Sequence, residues 1–385
     1  MSHLQQILKY ALAESSVQIL SAVKVVEEQI NEPAIESLAE QGKLLERVIK
    51  LTQASNPLFS SYMQLESLKA VANNYLTGSA LERLFDCCAG RLVESKIVGI
   101  IMAGNIPAVG FHDLLCCLVC GVKALVKLSS KDKYLIPYIC GEIEKYWPQI
   151  REQVEFLPSA SDTDTKAGRL YNECDALIFS GSDESLWEIK RELRTIGKEG
   201  IPLLARGSRF SFGVLDGGED KLQLTSLAED MFLYCGLGCR SISTLFVPDG
   251  YDLSKIVENS SFMRSRLEHI PPYINSYRRL KALAAMQGNL TDGASAGKEE
   301  SYTDGEFFLL KTIGSEIEKI EDNFPPLGVV NVRYYSNENE IIEFERANSS
   351  KIQKKYSKFG KAQQPQIDEW MDGVNTIEFI LSDKS

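Results

Sequence analysis

Histidine is scarce: three in 385 residues, at His3, His112 and His269. Scattered in this way they build no metal site. Cys117-x-x-Cys120 lacks the second ligand pair that zinc would require, so no metal is expected. A basic face is lacking too. Lys and Arg number 42 against 53 Asp and Glu, and the net charge of -11 is spread along the chain. That argues against nucleic acid as a partner, although a small anion needs only a local positive pocket. No apolar run approaches the ~18 residues of a spanning helix. The longest, "LLCCLVCGVKALV", is interrupted by Gly121 and Lys123. The opening "MSHLQQILKYALAESS" is amphipathic and has no continuous apolar core. It does not read as a secretory signal, so a cytoplasmic protein with reduced thiols is expected. Internal repeats, low-complexity blocks and the G-x-G-x-x-G dinucleotide fingerprint are also missing.

What is present is an ordinary globular composition, 44% apolar and 25% charged, long enough for two domains or one large α/β unit. Residues 1–90 read as helices, with 3.6-type spacing in "LLERVIKL" and "SALERLFDCCAGRL". Then "KIVGIIMA" reads as a buried strand and a Gly-Asn loop follows. An apolar helix runs to Cys120, and "KALVKLS" is the next strand. Cys116, Cys117 and Cys120 sit in that helix as small core residues. Strand and helix keep alternating through "VEFLP", "DALIFS" and "IPLLA", which implies a parallel sheet with helices on both faces. Residues 210–335 read as a second α/β unit, with a mobile loop at 289–304 and a final strand, "VNTIEFIL", at 374–381.

Four segments could carry chemistry. In "YCGLGCRSISTLFVP" Cys239 stands at the mouth of a strand, with glycine at 236 and 238. Small neighbours let a carbonyl group approach the sulfur and the backbone N–H, and a loop thiol can gain thiolate character. In "IIMAGNIPAVG" Asn105 follows a strand, where an uncharged amide is a good donor to a developing oxyanion. In "ALVKLSSKD" Lys127 ends an apolar strand, within reach of a ribose or phosphate. In "FSGSDES" Gly181 and Ser182 open a helix whose N-terminal N–H groups suit a pyrophosphate. Taken alone, each segment is equally an ordinary turn, cap or edge residue.

Their order is more specific than any one of them. From "NPLFSSYMQLES" (56–67) through "AGNIPAVG", "ALVKLSSKD", "FSGSDES" and "GLGCRS" to "GKAQQPQIDEWMDGVNTIEF" (360–379), the chain resembles the acyl-CoA reductases of bacterial bioluminescence. These form the LuxC-type fatty acid reductase family, a branch of the aldehyde dehydrogenase superfamily. The first ~50 residues match only in helical character. The resemblance implies an aldehyde dehydrogenase-like α/β fold: a helical N-terminal region (1–90), an NADP-binding Rossmann-like domain (91–209), a catalytic domain with Cys239 (210–345), and a return segment with an oligomerisation strand (346–385). It makes Cys239 the nucleophile and Asn105 the holder of the thiohemiacetal oxygen. Lys127, Ser129 and Ser130 would meet the adenosine ribose, and Gly181 and Ser182 the pyrophosphate. Three departures stand out. Leu237 replaces the family's Gln before Gly-Cys, Leu128 replaces the Pro after the lysine, and the sequence closes at Ser385 without the family's His-Asp-Gly tail.

The implied reaction is NADPH-dependent reduction of a long-chain acyl thioester to a fatty aldehyde through an acyl-cysteine. "IPLLARGSRFSFGVL" contains no glutamate where hydrolytic relatives keep a water-activating one, so slow hydrolysis is expected. Where NAD-preferring relatives carry Glu three residues after the lysine, this chain has Ser130 followed by Lys131, which accepts a 2′-phosphate. Implied partners are acyl-CoA or an acyl carrier thioester, a second copy of the chain, and an acyl-protein ligase. Two other readings stay open: the reverse reaction, aldehyde and CoA to acyl-CoA, and a non-reducing acyl-carrying or scaffolding role.

Overall fold

A computed structural model describes residues 3–31, 40–93, 95–158, 165–291, 300–313 and 323–382. The chain forms two compact units, residues 1–207 with 365–385, and residues 208–364.

The first unit opens with four helices, α1 (His3–Asn31), α2 (Glu40–Ser55), α3 (Ser61–Asn74) and α4 (Gly78–Cys88). An alternating series follows: β1 (Ile97–Ile101), α5 (Phe111–Cys120), β2 (Lys123–Lys127), α6 (Leu135–Glu144), α7 (Ile150–Gln153), β3 (Val154–Leu157), α8 (Thr165–Glu173), β4 (Ala176–Ser180), α9 (Asp183–Thr195) and β5 (Leu203–Arg206). The strands form one parallel sheet in the order β3-β2-β1-β4-β5. Its central strands are continuous apolar runs because helices cover both faces; Val98, Ile100, Leu125, Val126, Leu177 and Ile178 are all buried. The apolar sides of α1–α4 share one core with α5 and α6. Helix α5 is buried at every residue, His112 and Asp113 included, and Gly121 in the left-handed region ends it. Burial drives the thiols of Cys116 and Cys117 well above their ordinary range.

The second unit comprises β6 (Phe210–Val214), α10 (Lys221–Phe232), β7 (Ile242–Pro248), α11 (Ser254–Ser260), α12 (Arg264–Leu267), α13 (Pro271–Met286), β8 (Leu290–Thr291), β9 (Ser301–Asp304), β10 (Leu309–Thr312), β11 (Val329–Tyr335), α14 (Glu338–Ala347) and β12 (Ile352–Tyr356). Its sheet runs β12-β6-β7-β11-β10-β9-β8, parallel except where β9 meets β10. Phe212, Phe246 and Phe344 meet edge to face at 5.0–5.6 Å and fill one side of it. The loop expected at 289–304 carries β8 at one end and β9 at the other; residues 292–299 lie outside the described residues.

The closing segment corrects the sequence reading. Residues 376–381 form a helix, α15 (Thr376–Leu381), and not a strand. Asn375 caps it, its side-chain oxygen accepting from the N–H groups of Ile377 and Glu378. Thr376, Ile377, Ile380 and Leu381 then fall on one buried face against α4 and α5. Lys96 donates to the carbonyls of Ile380 and Ser382 at its C-terminus. The strand edge on which a homo-oligomer was expected is therefore not there.

A buried ion pair ties this unit together. Arg206, at the end of β5, pairs with Asp113 on α5, and both are under 5% exposed. The same guanidinium donates to the Thr376 hydroxyl at 2.7 Å. Removing one partner leaves the other charge buried and uncompensated. Asp113→Ala is predicted to cost about 3–5 kcal/mol of stability in urea unfolding. A loss under about 1 kcal/mol would show that the pair contributes little.

Candidate functional site

In the first unit β1, β2 and β4 are neighbours whose register sets Ile101, Lys127 and Phe179 level. Each strand delivers candidate groups at its carboxyl end. Asn105 follows β1 and is half-buried. Lys127 closes β2, half-buried, with Ser129 half-buried and Ser130 exposed just beyond. Gly181 and Ser182 follow β4 and lead into α9. Connections from β1 run to one side of the sheet while β4 and β5 lie on the other. The crevice at such a reversal is where open α/β sheets bind ligands.

Close packing fixes these loops to one another. The N–H of Met102 donates to the Lys127 carbonyl at 3.0 Å. Gly104 lies so near Ser129 that a Cβ there would come within 2.2 Å of its Oγ. The Ala108 N–H donates to Asp132 Oδ2 at 2.7 Å, and Ala108 sits at φ +55°. Asp132 is thus a bridge between the Asn105 loop and the Lys127–Ser130 loop. Sequence reasoning missed it; the only hint was an acid just before α6. On the other side, the Gly181 N–H donates to the Arg206 carbonyl at 3.1 Å.

The residues fit a dinucleotide. Ser182 caps α9, accepting from the Ser185 N–H, and the first-turn N–H groups of a 13-residue helix face the sheet's ligand edge. Lys127 adds a cation two strands away. Asp183 and Glu184, in that first turn, oppose an anion by charge.

Cys239 lies in the second unit. After α10 the backbone turns through Tyr234, Cys235 and Gly236, with φ of 62°, 57° and 73°. Two non-glycine residues there carry strain of roughly 1 kcal/mol or more each. Gly236 is required by its φ and by the Met231 carbonyl, 3.1 Å from where a Cβ would stand. The turn closes on bonds from the Leu237 N–H to the Tyr234 carbonyl and from the Ser241 N–H to the Gly238 carbonyl. The Ser211 hydroxyl donates to the Cys239 carbonyl at 2.8 Å. Behind it, Gln363 donates to the Ser241 hydroxyl and the Asp230 carbonyl. Asp230 in turn accepts from the N–H groups of Gly360 and Ala362.

This buttressed turn leaves Cys239 half-buried. None of the nine cysteines is in a disulfide, and seven are buried. Only Cys87 is as open as Cys239, and burial raises its thiol, with the acids Asp368 and Asp86 adding to the effect. Four residues before Cys239, burial pushes the Cys235 thiol up to about 12. A cavity of about 210 Å³ adjoins the turn, lined by Phe210, Cys235, Gly238, Ser241, Tyr273 and Asn323 among others; Cys239 is not in its wall. The structure therefore brings six sequence candidates to one sheet edge and places Cys239 in the other unit.

Comparison with known proteins places the chain. The family described as acyl-CoA reductase (LuxC) matches residues 15–354. The chain belongs to that family. It is therefore an oxidoreductase of a family that acts on acyl groups and their aldehydes. A NAD-dependent benzaldehyde dehydrogenase from Corynebacterium glutamicum superposes with a TM-score of 0.56 at 15% identity, over 89% of this chain and 77% of that one. A mutant aldehyde dehydrogenase from Bacillus cereus gives 0.54 at 14%, over 86% and 69%. An aldehyde dehydrogenase from Mycobacterium tuberculosis, solved with NAD+, gives 0.50 at 15%, over 86% and 70%. At these identities the likeness establishes the aldehyde dehydrogenase-like fold. No curated protein matches the sequence. Among the described residues no helix of this LuxC-family protein is long and apolar enough to cross a membrane.

Burial raises the Asp132 carboxyl to about 6. A raised carboxyl stabilises the fold while protonated, and that contribution is lost as the pH rises through about 6. Asp132→Asn keeps an acceptor for the Ala108 N–H and removes the titration. Relative to wild type, the variant is predicted to gain about 2 kcal/mol in urea unfolding between pH 4 and pH 7. A difference that stays flat across that range would contradict the assignment.

Proposed function

We propose that the protein reduces a long-chain acyl thioester to a fatty aldehyde with NADPH, through an acyl group carried on Cys239. The observation that supports this most is the half-buried Cys239 thiol on a strained, buttressed turn within the family-matched segment.

The Cys239 thiolate attacks the thioester carbonyl, its new C–S bond replacing the bond to the carrier thiol, which leaves as a thiolate. The side-chain amide of Asn105 donates to the oxygen that becomes negative as the carbonyl is attacked. Lys127, Ser129 and Ser130 would hold the adenosine ribose, and Gly181 and Ser182 the pyrophosphate. Ser130 and Lys131 present no carboxylate to a 2′-phosphate, which favours NADPH over NADH. When bound, the cofactor supplies the hydride that reduces the acyl carbon. Cys239 then leaves as thiolate and the aldehyde is free. With no glutamate between 201 and 215 to activate water, the acyl-cysteine outlasts hydrolysis.

Incubation with a long-chain acyl-CoA, followed by intact-mass analysis, tests this. The acyl mass is predicted on wild type, absent from Cys239→Ala, and lost on adding NADPH with aldehyde formed, NADPH giving a higher kcat/KM than NADH. Acylation indifferent to either nicotinamide would favour the acyl-carrying role and contradict the proposal.

A further inference from the structure

Just beyond Asn105, one peptide unit is held at both its polar atoms by side chains from two other segments. It joins Pro107 to Ala108, both of them buried. Its carbonyl accepts from the Ser67 hydroxyl of α3 at 2.7 Å. Its N–H donates to Asp132 Oδ2 at 2.7 Å. Ser67 and Asp132 are 5% and 3% exposed, so both bonds lie in the interior, where they are strongest. Asp132 is anchored in turn, its own N–H donating to the Ser129 carbonyl at 3.2 Å. Ala108 stands at φ +55°, where its Cβ is crowded. Turning the peptide plane over would take Ala108 out of that region, but it would aim the Pro107 carbonyl at the Asp132 carboxylate. The crowded orientation is therefore kept by Ser67 and Asp132, against the preference of the alanine itself.

We propose that Ser67 and Asp132 are positioning residues for Asn105: by clamping the Pro107–Ala108 peptide they keep the Asn105 amide aimed at the oxygen that becomes negative. The inference rests on the oxyanion role proposed for Asn105. Only Ile106 stands between Asn105 and Pro107, so a turn of the clamped peptide is felt at once by the amide. On the other side of Asn105, Gly104 packs against the Ser129 side chain. A donor stabilises developing charge only if it already points there, and a displacement of about an ångström loses much of the effect. Ser67 is the more telling of the two residues. It belongs to the helical N-terminal region, and its hydroxyl meets a backbone carbonyl that takes no part in the reaction. Asp132 also braces the loop that carries Ser129 and Ser130, so its loss would disturb two groups of residues together.

The test measures acyl transfer to Cys239 from decanoyl-CoA, with no dinucleotide present, by quenched intact-mass analysis over a range of thioester concentrations. Asn105→Ala is expected to lower the maximal rate about a hundredfold or more. Ser67→Ala should lower it roughly tenfold and leave the half-saturating concentration unchanged, because the loss is felt only as charge develops. Adding Ala108→Gly, which takes φ +55° without crowding, should recover at least about threefold. In an Asn105→Ala background, Ser67→Ala should cost less than about twofold, since the two act through one group. Should Ser67→Ala not fold, Ser67→Cys, with a weaker donor of similar size, is read in the same way. An equal loss in both backgrounds overturns the proposal, and so does a Ser67→Ala rate within about twofold of wild type. A loss carried by the half-saturating concentration alone, or one that Ala108→Gly leaves untouched, also overturns it. Asn105→Ala that takes acyl as fast as wild type refutes the oxyanion reading itself, a separate failure.

Discussion

Three consecutive residues in the left-handed region are the constraint on which the placement of Cys239 depends. Tyr234, Cys235 and Gly236 turn the chain sharply out of α10, so that Gly238 and Cys239 reach the start of β7 within a few residues. The strain is offset by what surrounds it: the Ser211 hydroxyl on the Cys239 carbonyl, Gln363 behind Ser241, and the Asp230 carboxylate beneath Gly360 and Ala362. A thiol on such a support is held in place although it lies in a loop.

The first unit solves a related problem differently. Its candidate groups lie at the ends of three registered parallel strands, so the sheet itself sets their spacing. Short contacts such as Gly104 against Ser129, and Asp132 beneath Ala108, leave the Asn105 loop little freedom to move apart from the Lys127–Ser130 loop. Rigid elements with pinned loops are what an electrostatic site requires, because donors must already point where charge develops.

Much of this was legible in the sequence because it is local. The β1–α5–β2 alternation, the glycine stop of α5 and the loop before β7 follow from period, turn residues and apolar runs. The closing helix was not, because Val374, Ile377, Phe379 and Ile380 have strand-like composition. What decides it is the Asn375 cap and the fit of four residues against α4 and α5, a tertiary effect. Asp132 was equally hidden. Its place depends on the Ala108 N–H, a partner brought close only by folding.

The central claim is that Cys239 hands its acyl group to hydride. It is tested most directly by isolating the acylated protein free of the acyl donor and adding NADPH deuterated at the transferring position. The account predicts one aldehyde per acyl group, carrying a single deuterium on its carbonyl carbon, with the thiol of Cys239 restored. Release of unlabelled fatty acid, or an acyl group that stays on the protein, would contradict it.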